Sequence, residues 1–297
     1  MKKQSLSSTI IKKSLRAVKA KKIFESDKIS DFYLKNKEEK NKEPYKLPLV
    51  YKTLAEKVIV DDVETFTIKG KSKKVILYFH GGAFVAKPIF FHWRFLRHVF
   101  DQTDATIIAP LYPLGPTYNY KQTYEKILNI YKLLIVSHRA SDIILMGDSA
   151  GANLSLVLGL LLKDLGLEQP SKIIGMSPCP DITLSNPKIK DYEKKDPVLA
   201  VKGIKKMISS WVKVGDYSHY LLSPINGSYE GVADIYIFAG THEIFYPDVE
   251  LFQNKLEKQN VKAKFYIYPK MMHVFPAYPI PEAKEAIEKI SSIVKEE

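Results

Sequence analysis

The pentapeptide from Gly147 to Gly151 reads Gly-Asp-Ser-Ala-Gly and places Ser149 at the spacing typical of a catalytic nucleophile. It follows the apolar run "IILM" and precedes the helix-like run "ANLSLVLGLLLKDLG". A sharp strand-to-helix turn there would hold the serine hydroxyl at the carboxyl end of a sheet, beside the free amides of a helix N-terminus. A pattern with three fixed positions also arises by chance, so a purely structural turn is the alternative interpretation.

A serine hydroxyl is a weak nucleophile unless a base accepts its proton, so the chain must supply a histidine. Of seven histidines, His273 alone comes directly after the last predicted strand, in "YPKMMHVFPAYP". His92 and His98 fall in a predicted helix and are interpreted as surface or packing residues. His273 is therefore predicted to be the base.

A third group must orient the imidazole, and in this architecture it precedes the histidine in the chain. The apolar run "ADIYIFAG" is followed by two carboxylates, Glu243 and Asp248. Glu243 is three residues past Gly240, close to the predicted strand end, whereas Asp248 follows Pro247 and suits the first turn of a helix. We predict Glu243 as the acid, with Asp248 as the alternative.

Developing negative charge on the substrate requires hydrogen-bond donors, and the segment "YFHGGAF" (78–84) follows another predicted strand. Its paired glycines let backbone amides approach a substrate oxygen without interference from side chains. The amides of Gly81 and Gly82, with that of Ala150, are predicted to form an oxyanion hole. A glycine loop alone is common, but its occurrence with Ser149 and His273, each after a predicted strand, favours catalysis.

The strands that position these residues are short apolar runs, near-continuous as in parallel strands buried on both faces. They begin "KKVILYFHGG", "DATIIAPLYPL", "SDIILMGDSAG", "SKIIGMSPCP", "ADIYIFAG" and "AKFYIYPK". Segments with helical spacing, such as 119–137 and 248–260, lie between most of them. Before them, "KVIVDDVETFTIKG" (57–70) predicts a hairpin that turns at Asp61 and Asp62. The alternation predicts an α/β fold with a mostly parallel sheet between helices.

The first 24 residues predict a basic amphipathic helix over 3–24, whose apolar stripe consists of Leu6, Ile10, Leu15 and Val18. Two hypotheses follow. The helix lies on an anionic membrane surface, or it packs on the rest of the protein with its lysines in water. The charged stretch "LKNKEEKNKEPYKLP" that follows is interpreted as a connector.

Some fifty residues, 182–232, separate two predicted strands and are too many for one ordinary crossover. They contain a helical stretch, "LAVKGIKKMISSWVKV", and an irregular run, "DYEKKDP". An insertion of this size is typical of a lid over the strand ends. We therefore divide the chain into an N-terminal cap segment (1–47), a cap insertion (182–221) and a core (48–181 and 222–297).

The composition excludes several classes of protein. The chain has 297 residues and a single cysteine, Cys179, so it forms no intramolecular disulfide. It lacks an apolar run of about 18 residues and a secretory leader, which predicts a cytoplasmic location. The net charge is +12, yet only four of the 45 basic residues are arginine, which argues against nucleic acid as a partner.

These stretches resemble those of the α/β-hydrolases, and among them the bacterial hormone-sensitive-lipase-like carboxylesterases. The resemblance rests on "HGGAF", "LYPLGPTYNY", "GDSAG", "SP" at 223–224, "AGTHEI" and "MMHVF", and spans 76–275. Ala83 stands where the family usually has a third glycine, and Glu243 where it mostly has aspartate. The segment "GPTYNY" lacks a glutamate that the family carries there.

The resemblance implies an eight-stranded, mostly parallel sheet with a helical cap built from the N-terminal segment and the insertion. It also implies hydrolysis of small or medium acyl esters without metal or cofactor. Ser149 attacks the carbonyl, His273 accepts its proton and Glu243 orients the imidazole, giving an acyl-enzyme that water resolves. Asp148, beside the nucleophile, is interpreted either as a residue that supports the catalytic groups without touching the substrate or as a structural residue.

Two other functions stay open. The same triad serves an amidase or deacetylase such as a formamidase, and the fold also occurs in ligand-binding proteins without catalysis, against which His273 argues. The expected partner is a small-molecule ester, without nucleic acid. Membrane contact through the N-terminal helix and assembly into a homodimer are further hypotheses.

Overall fold

The structure is a computed structural model that describes residues 4–296, and within that range eight strands form one sheet. They are β1 (Glu56–Val60), β2 (Val63–Ile68), β3 (Val75–Phe79), β4 (Thr106–Pro110), β5 (Ile143–Asp148), β6 (Lys172–Met176), β7 (Asp234–His242) and β8 (Ala263–Met272). Across the sheet they run β1-β2-β4-β3-β5-β6-β7-β8. Strand β2 is antiparallel to both neighbours, and every neighbouring pair from β4 to β8 is parallel. The predicted mostly parallel, eight-stranded sheet is confirmed.

Helices cover both faces of this sheet. The described α-helices are α1 (Leu6–Ala17), α2 (Lys22–Glu25), α3 (Asp27–Lys42), α4 (Phe90–Thr103), α5 (Tyr120–Ser137), α6 (Ala150–Asp164), α7 (Ile189–Glu193), α8 (Val201–Val212), α9 (Tyr246–Lys258) and α10 (Pro281–Lys295). Side chains of α5, α6 and α9 join the core on one face, and those of α4 and α10 join the core on the other. Because both faces are covered, β3, β5 and β6 are buried along their whole length.

The predicted hairpin is confirmed as the antiparallel pair β1–β2, in which Val60 lies opposite Val63. Asp61 and Asp62 form its two-residue turn, and both have positive φ, at 49° and 62°. Short polar residues tolerate that region better than bulky ones, which explains the aspartates here.

The N-terminal segment departs from the prediction in two ways. The single helix predicted over 3–24 is two helices, α1 and α2, because the chain turns at Lys19, whose φ is 55°. The predicted connector is helical as far as Lys42, the end of α3. Its lysines and glutamates are good helix formers, and Asp27 and Lys42 lie at the ends where the helix dipole favours their charges.

The N-terminal helices and the insertion meet over the carboxyl ends of the parallel strands. The predicted helix of the insertion is α8, and Gly203 packs it against the backbone of Phe24 in α2. A Cβ atom at Gly203 would lie 2.3 Å from Cα of Phe24, so the two helices approach this closely only with glycine there. The domain limits proposed from the sequence stay predictions.

Candidate active site

Ser149 lies in the turn between β5 and α6, with φ 52° and ψ −119°. This strained conformation holds the side chain out of both elements. A Cβ atom on Gly147 would lie 2.4 Å from the carbonyl carbon of Gly151, and one on Gly151 would lie 1.8 Å from the oxygen of Phe79. The two glycines of the motif are therefore required by the tightness of the turn.

The structure brings Ser149, His273 and Glu243 together from three separate elements. Nε2 of His273 is 2.9 Å from Oγ of Ser149, and Nδ1 is 2.6 Å from Oε2 of Glu243. Glu243 is fully buried and His273 is 7% exposed. Since the carboxylate accepts a hydrogen bond from the N–H at Nδ1, Nε2 carries the lone pair, and this lone pair faces the serine hydroxyl.

Glu243 is held in place by its second carboxylate oxygen. Oε1 accepts hydrogen bonds from the amide of Gly240 at 2.8 Å and from the hydroxyl of Ser177 at 3.1 Å. The same hydroxyl accepts from the amide of Val274, at 2.9 Å. Ser177 thus links the acid to the loop of His273. Sequence reasoning missed it, although it directly follows β6, as the other site residues follow their strands.

The alternative acid, Asp248, lies in α9 and takes another partner. Its Oδ1 accepts a hydrogen bond from the side chain of Asn186 in the insertion, at 2.8 Å. Burial raises its pKa to about 6. Its contact is with the cap, and Glu243 is the carboxylate that meets His273.

In the loop after β3, the amide of one predicted oxyanion donor already has a hydrogen-bond partner. The amide of Gly81 donates to Oδ1 of Asp148 at 3.0 Å, so this N–H is already paired. Gly82 and Ala83 line the cavity that contains Ser149, and Ala150 begins α6 directly after it. Within residues 4–296, the amides of Gly82, Ala83 and Ala150 donate to no protein acceptor. Among the described residues, the amide of Ala83 is therefore unpaired in this loop, whereas that of Gly81, one of the predicted donors, is paired.

Asp148, interpreted from the sequence as a supporting or structural residue, connects this loop to the nucleophile. The hydroxyl of Tyr78 donates to its Oδ1, and Nε2 of His92 is 3.4 Å from its Oδ2. Burial raises the pKa of Asp148, but His92, Tyr78 and the Gly81 amide outweigh it and leave this pKa below its usual value. His92 was expected on a surface or in packing, yet it lines the same cavity as Ser149.

The cavity in front of Ser149 has a volume of about 220 Å³. Its walls are mostly apolar and come from the N-terminal helices, the insertion and the core, including Phe24, Tyr33, Phe91, Leu199, Ile204 and Tyr278. Phe84 and Trp211 are instead stacked on each other in the core, with ring centroids 4.0 Å apart. The site thus brings a serine hydroxyl, an imidazole and unpaired amides together beside a small apolar pocket.

Known proteins share the sequence and architecture of this chain. The family model described as alpha/beta hydrolase fold matches residues 76–277. An esterase of Acinetobacter venetianus is 31% identical over 235 residues, which cover 77% of each chain. The chain belongs to the α/β-hydrolase family.

Two further proteins indicate which group of α/β-hydrolases this chain resembles. A candidate esterase from Staphylococcus aureus has a solved structure with a TM-score of 0.89 and 31% identity, covering 94% of this chain and 96% of that one. Human hormone-sensitive lipase is 26% identical over 156 residues, or 50% of this chain and 14% of that protein. The resemblance to hormone-sensitive-lipase-like carboxylesterases is confirmed, and this α/β-hydrolase is a carboxylic ester hydrolase.

A buried carboxylate of the insertion also contacts the backbone next to Glu243 in this α/β-hydrolase. Asp196 accepts from the amides of Val198 and Leu199 through Oδ1, at 2.8 and 2.9 Å, and from the amide of Ile244 through Oδ2, at 3.0 Å. Burial raises its pKa to about 6. Asp196 thereby ties the insertion to the residue after Glu243. Sequence reasoning missed this role, because "DYEKKDP" carries no pattern that identifies its partner.

Helix α1 attaches to the α/β-hydrolase through polar contacts. Nζ of Lys12 donates to the carbonyl of Lys270 and lies 3.0 Å from Nδ1 of His242, next to the acid. Burial and the charge of Lys12 lower the pKa of His242 to about 4. Ser5 donates to the carboxylate of Glu282 from its amide and its hydroxyl. The expectation that a packed helix would keep its lysines in water is wrong for Lys12, which is buried.

No helix within residues 4–296 has both the length and the apolar character needed to cross a bilayer. The cytoplasmic location stays a prediction.

Proposed function

We propose that the chain is a serine esterase that cleaves small-to-medium acyl esters through an acyl-enzyme. The observation that carries this proposal is the continuous hydrogen-bonded series from Glu243 through His273 to Ser149, with distances of 2.6 and 2.9 Å. In such a series, the buried carboxylate orients the imidazole, and the imidazole activates the serine hydroxyl as a nucleophile.

In the proposed reaction, Oγ of Ser149 attacks the ester carbonyl while Nε2 of His273 takes the hydroxyl proton. Glu243 stabilises the imidazolium that forms. His273 then donates the proton to the leaving alcohol, and the acyl group stays on Ser149. A water molecule, deprotonated by His273, releases the acid and restores the enzyme.

The tetrahedral oxyanion is proposed to be bound by the amides of Gly82, Ala83 and Ala150. They are free of protein acceptors within the described chain, and the amide of Ala150 lies at the N-terminus of α6, where negative charge is favoured. The amide of Gly81 donates to Asp148, so it is assigned to support of this loop and not to the oxyanion.

The size and lining of the cavity support the substrate class. A volume of about 220 Å³ is below the roughly 300–1,000 Å³ usual for pockets that enclose drug-sized ligands. Apolar side chains from the core and both cap segments surround it. Such a pocket favours a short or medium hydrocarbon chain over a charged or bulky group.

A fluorophosphonate probe tests the nucleophile. The wild-type chain is expected to be labelled at one site, and Ser149→Ala to remove the label, whereas Ser155→Ala, a buried serine on the following helix, keeps it. Persistent labelling of Ser149→Ala at the wild-type rate contradicts the assignment.

Matched ester and amide substrates with the same acyl group test the reaction class. Nitrophenyl esters are expected to be turned over with a burst of nitrophenol at stoichiometric enzyme, and nitroanilides much more slowly. Faster turnover of the amide would favour the amidase function instead. A series of acyl chains from short to long then measures how the cavity limits chain length.

A further inference from the structure

Large apolar side chains are left exposed in unusual number over residues 6–59, a stretch that includes most of the N-terminal cap segment, the link to β1 and most of the β1–β2 hairpin's first strand. Nine of the seventeen large exposed apolar residues found within residues 4–296 lie between positions 6 and 59. The most exposed include Leu6, Val18, Phe32, Leu49 and Val50, which we call the outer apolar residues; each is more than 70% exposed. A concentration of this kind marks a surface that contacts something apolar.

Helix α1 leaves part of its predicted apolar stripe exposed. Its buried residues are Ser8 and Lys12, while Leu6 and Ile10, one turn apart on the opposite side, face away from the protein. Helices on protein surfaces normally bury their apolar stripe. The side of α1 that packs on the protein also includes Ile11 and Leu15, which are partly buried against the core, so only part of the predicted apolar stripe is left free.

The charge of the same segment is strongly positive. Residues 1–46 contain fourteen lysines and arginines against six aspartates and glutamates, which accounts for +8 of the net +12. Lys13, beside Ile10 on the outer side of α1, and Lys28, beside Ile29 on α3, are exposed. Cores of protein interfaces are depleted in charge, whereas lysines mixed with apolar side chains are typical of helices on anionic lipid.

The same segment borders the entrance to the active site. Phe24 and Tyr33 line the cavity, and Phe32 is the neighbour of Tyr33 on α3. On another side, Tyr51, next to Val50, packs on Phe90 with ring centroids 5.4 Å apart. Phe90 in turn contacts Phe91, a cavity residue, at 5.7 Å. Two of the outer apolar residues, Phe32 and Val50, are therefore chain neighbours of residues that line the cavity or pack next to its lining.

We propose that the first fifty residues dock this enzyme on anionic phospholipid bilayers and that the site takes esters dissolved in the bilayer. The outer apolar residues and Ile10 enter the interfacial region, and the lysines contact the headgroups. This inference rests on the proposed function for its substrate class only, because docking does not require the triad.

Vesicle sedimentation measures docking without hydrolysis when the full chain carries Ser149→Ala. We expect binding to vesicles of phosphatidylcholine containing about one third phosphatidylglycerol, and at least about tenfold weaker binding to phosphatidylcholine alone. Raising the salt from about 0.1 to 1 M, which shortens the screening length from about 10 to 3 Å, should weaken the binding.

Two variant pairs test the residues. Leu6→Ser with Ile10→Ser, and Leu49→Ser with Val50→Ser, are each expected to weaken vesicle binding about tenfold. The matched control is Val136→Ser with Leu165→Ser. These residues are 85% and 53% exposed and lie at the ends of α5 and α6 that lead into β5 and β6, on the edge of the sheet away from Ser149. The control pair should bind like the parent.

With Ser149 intact, both test pairs should hydrolyse a soluble short ester at the wild-type rate and a vesicle-dissolved medium-chain ester several-fold more slowly. The docking proposal is overturned if the parent binds neither vesicle, or if the control pair loses as much binding as the test pairs. Failure of the soluble ester assay in the wild type would instead overturn the proposed function and leave the sedimentation result standing.

Discussion

Ser177 shows how a residue that never touches the substrate can determine the geometry of the site. Its hydroxyl donates to Glu243 and accepts from the amide of Val274, so one oxygen joins the acid to the loop of the base. The catalytic hydrogen bonds depend on both loops keeping their separation. Ser177 is therefore a positioning residue.

Replacing Ser177 with alanine should lower kcat about tenfold. The lost hydrogen bonds contribute about 1–2 kcal/mol, and without them Glu243 and His273 are less well oriented for the reaction. KM for a short nitrophenyl ester should change little, since the cavity wall is untouched. The measurement is steady-state kinetics with thermal unfolding of the same preparations.

The matched control is Ser171→Ala. Ser171 precedes the same strand, and its hydroxyl donates to the carbonyl of Ile143 at 2.9 Å, on the opposite edge of the sheet. It should lower stability by a similar amount and leave kcat unchanged. Equal kcat losses in the two variants would show that the effect is general loosening of the sheet.

Sequence reasoning was effective for residues that follow strands and less so for their partners. Ser149, Glu243 and His273 each have a chemical type and a place in the chain that mark them. Gly81 shows the limit of this reasoning. The sequence predicted its amide as an oxyanion donor, but in the fold this amide donates a hydrogen bond to the side chain of Asp148. Such competition between acceptors is decided by distances that no motif contains.

At the scale of elements, the cap is joined where α8 crosses α2. Gly203 and Phe24 approach so closely that a single added methyl group must displace one helix. Phe24 and Ile204, the neighbour of Gly203, both line the cavity. The packing of these two helices therefore sets the width of the entrance.

Gly203→Ala is expected to lower the unfolding free energy by about 1–2 kcal/mol and to raise KM for a short ester. Alanine gains about 1 kcal/mol in helix propensity, but an overpacked contact costs about 1–3 kcal/mol, and here the clash is with backbone. Lys205→Ala, at an exposed position of the same helix, is the control and should be neutral. A more stable Gly203→Ala enzyme with unchanged KM would contradict this account of the entrance.

The prediction of the elements succeeded where the order of apolar and turn residues is distinctive, and it failed in the charged stretch, where that order is not. Strands buried on both faces and the Asp61–Asp62 turn follow from local physics. The charged run of α3 has the composition of both a linker and a solvated helix. Its contacts with α2 and α8 favoured the helix, and those contacts lie outside any sequence window.

At the scale of the whole molecule, burial of ionisable groups makes stability depend on pH. His80 precedes the oxyanion loop, is fully enclosed, and stacks on Tyr112 with ring centroids 4.5 Å apart. Burial lowers its pKa to about 3, from 6.5 for the exposed side chain. The folded protein therefore binds this proton less readily than the unfolded chain.

The contribution of His80 is fully present above pH 6.5 and is lost as the pH falls toward 3, because only the unfolded state takes up the proton in that window. Between pH 7 and 5 the wild type should lose about 2 kcal/mol through this group. His80→Asn, which keeps a donor for the carbonyl of Gly81, should lack that loss.

Urea unfolding of both proteins at pH 7 and pH 5 measures the difference, since all other groups titrate alike in the two. His138→Asn, at the partly exposed end of α5, should follow the wild type. If His80→Asn loses as much stability on acidification as the wild type, the buried imidazole is not the group responsible.

The sequence by itself determined the α/β architecture and marked Ser149 and His273 as the candidate nucleophile and base, because apolar strand runs and strand-end motifs are local in the chain. Only the tertiary structure decided that Glu243 and not Asp248 meets His273, that Gly81 is paired with Asp148, and that α1 leaves Leu6 and Ile10 exposed. These outcomes depend on contacts between residues far apart in sequence, whose energies are realised only when the folded chain brings them within hydrogen-bond or van der Waals distance.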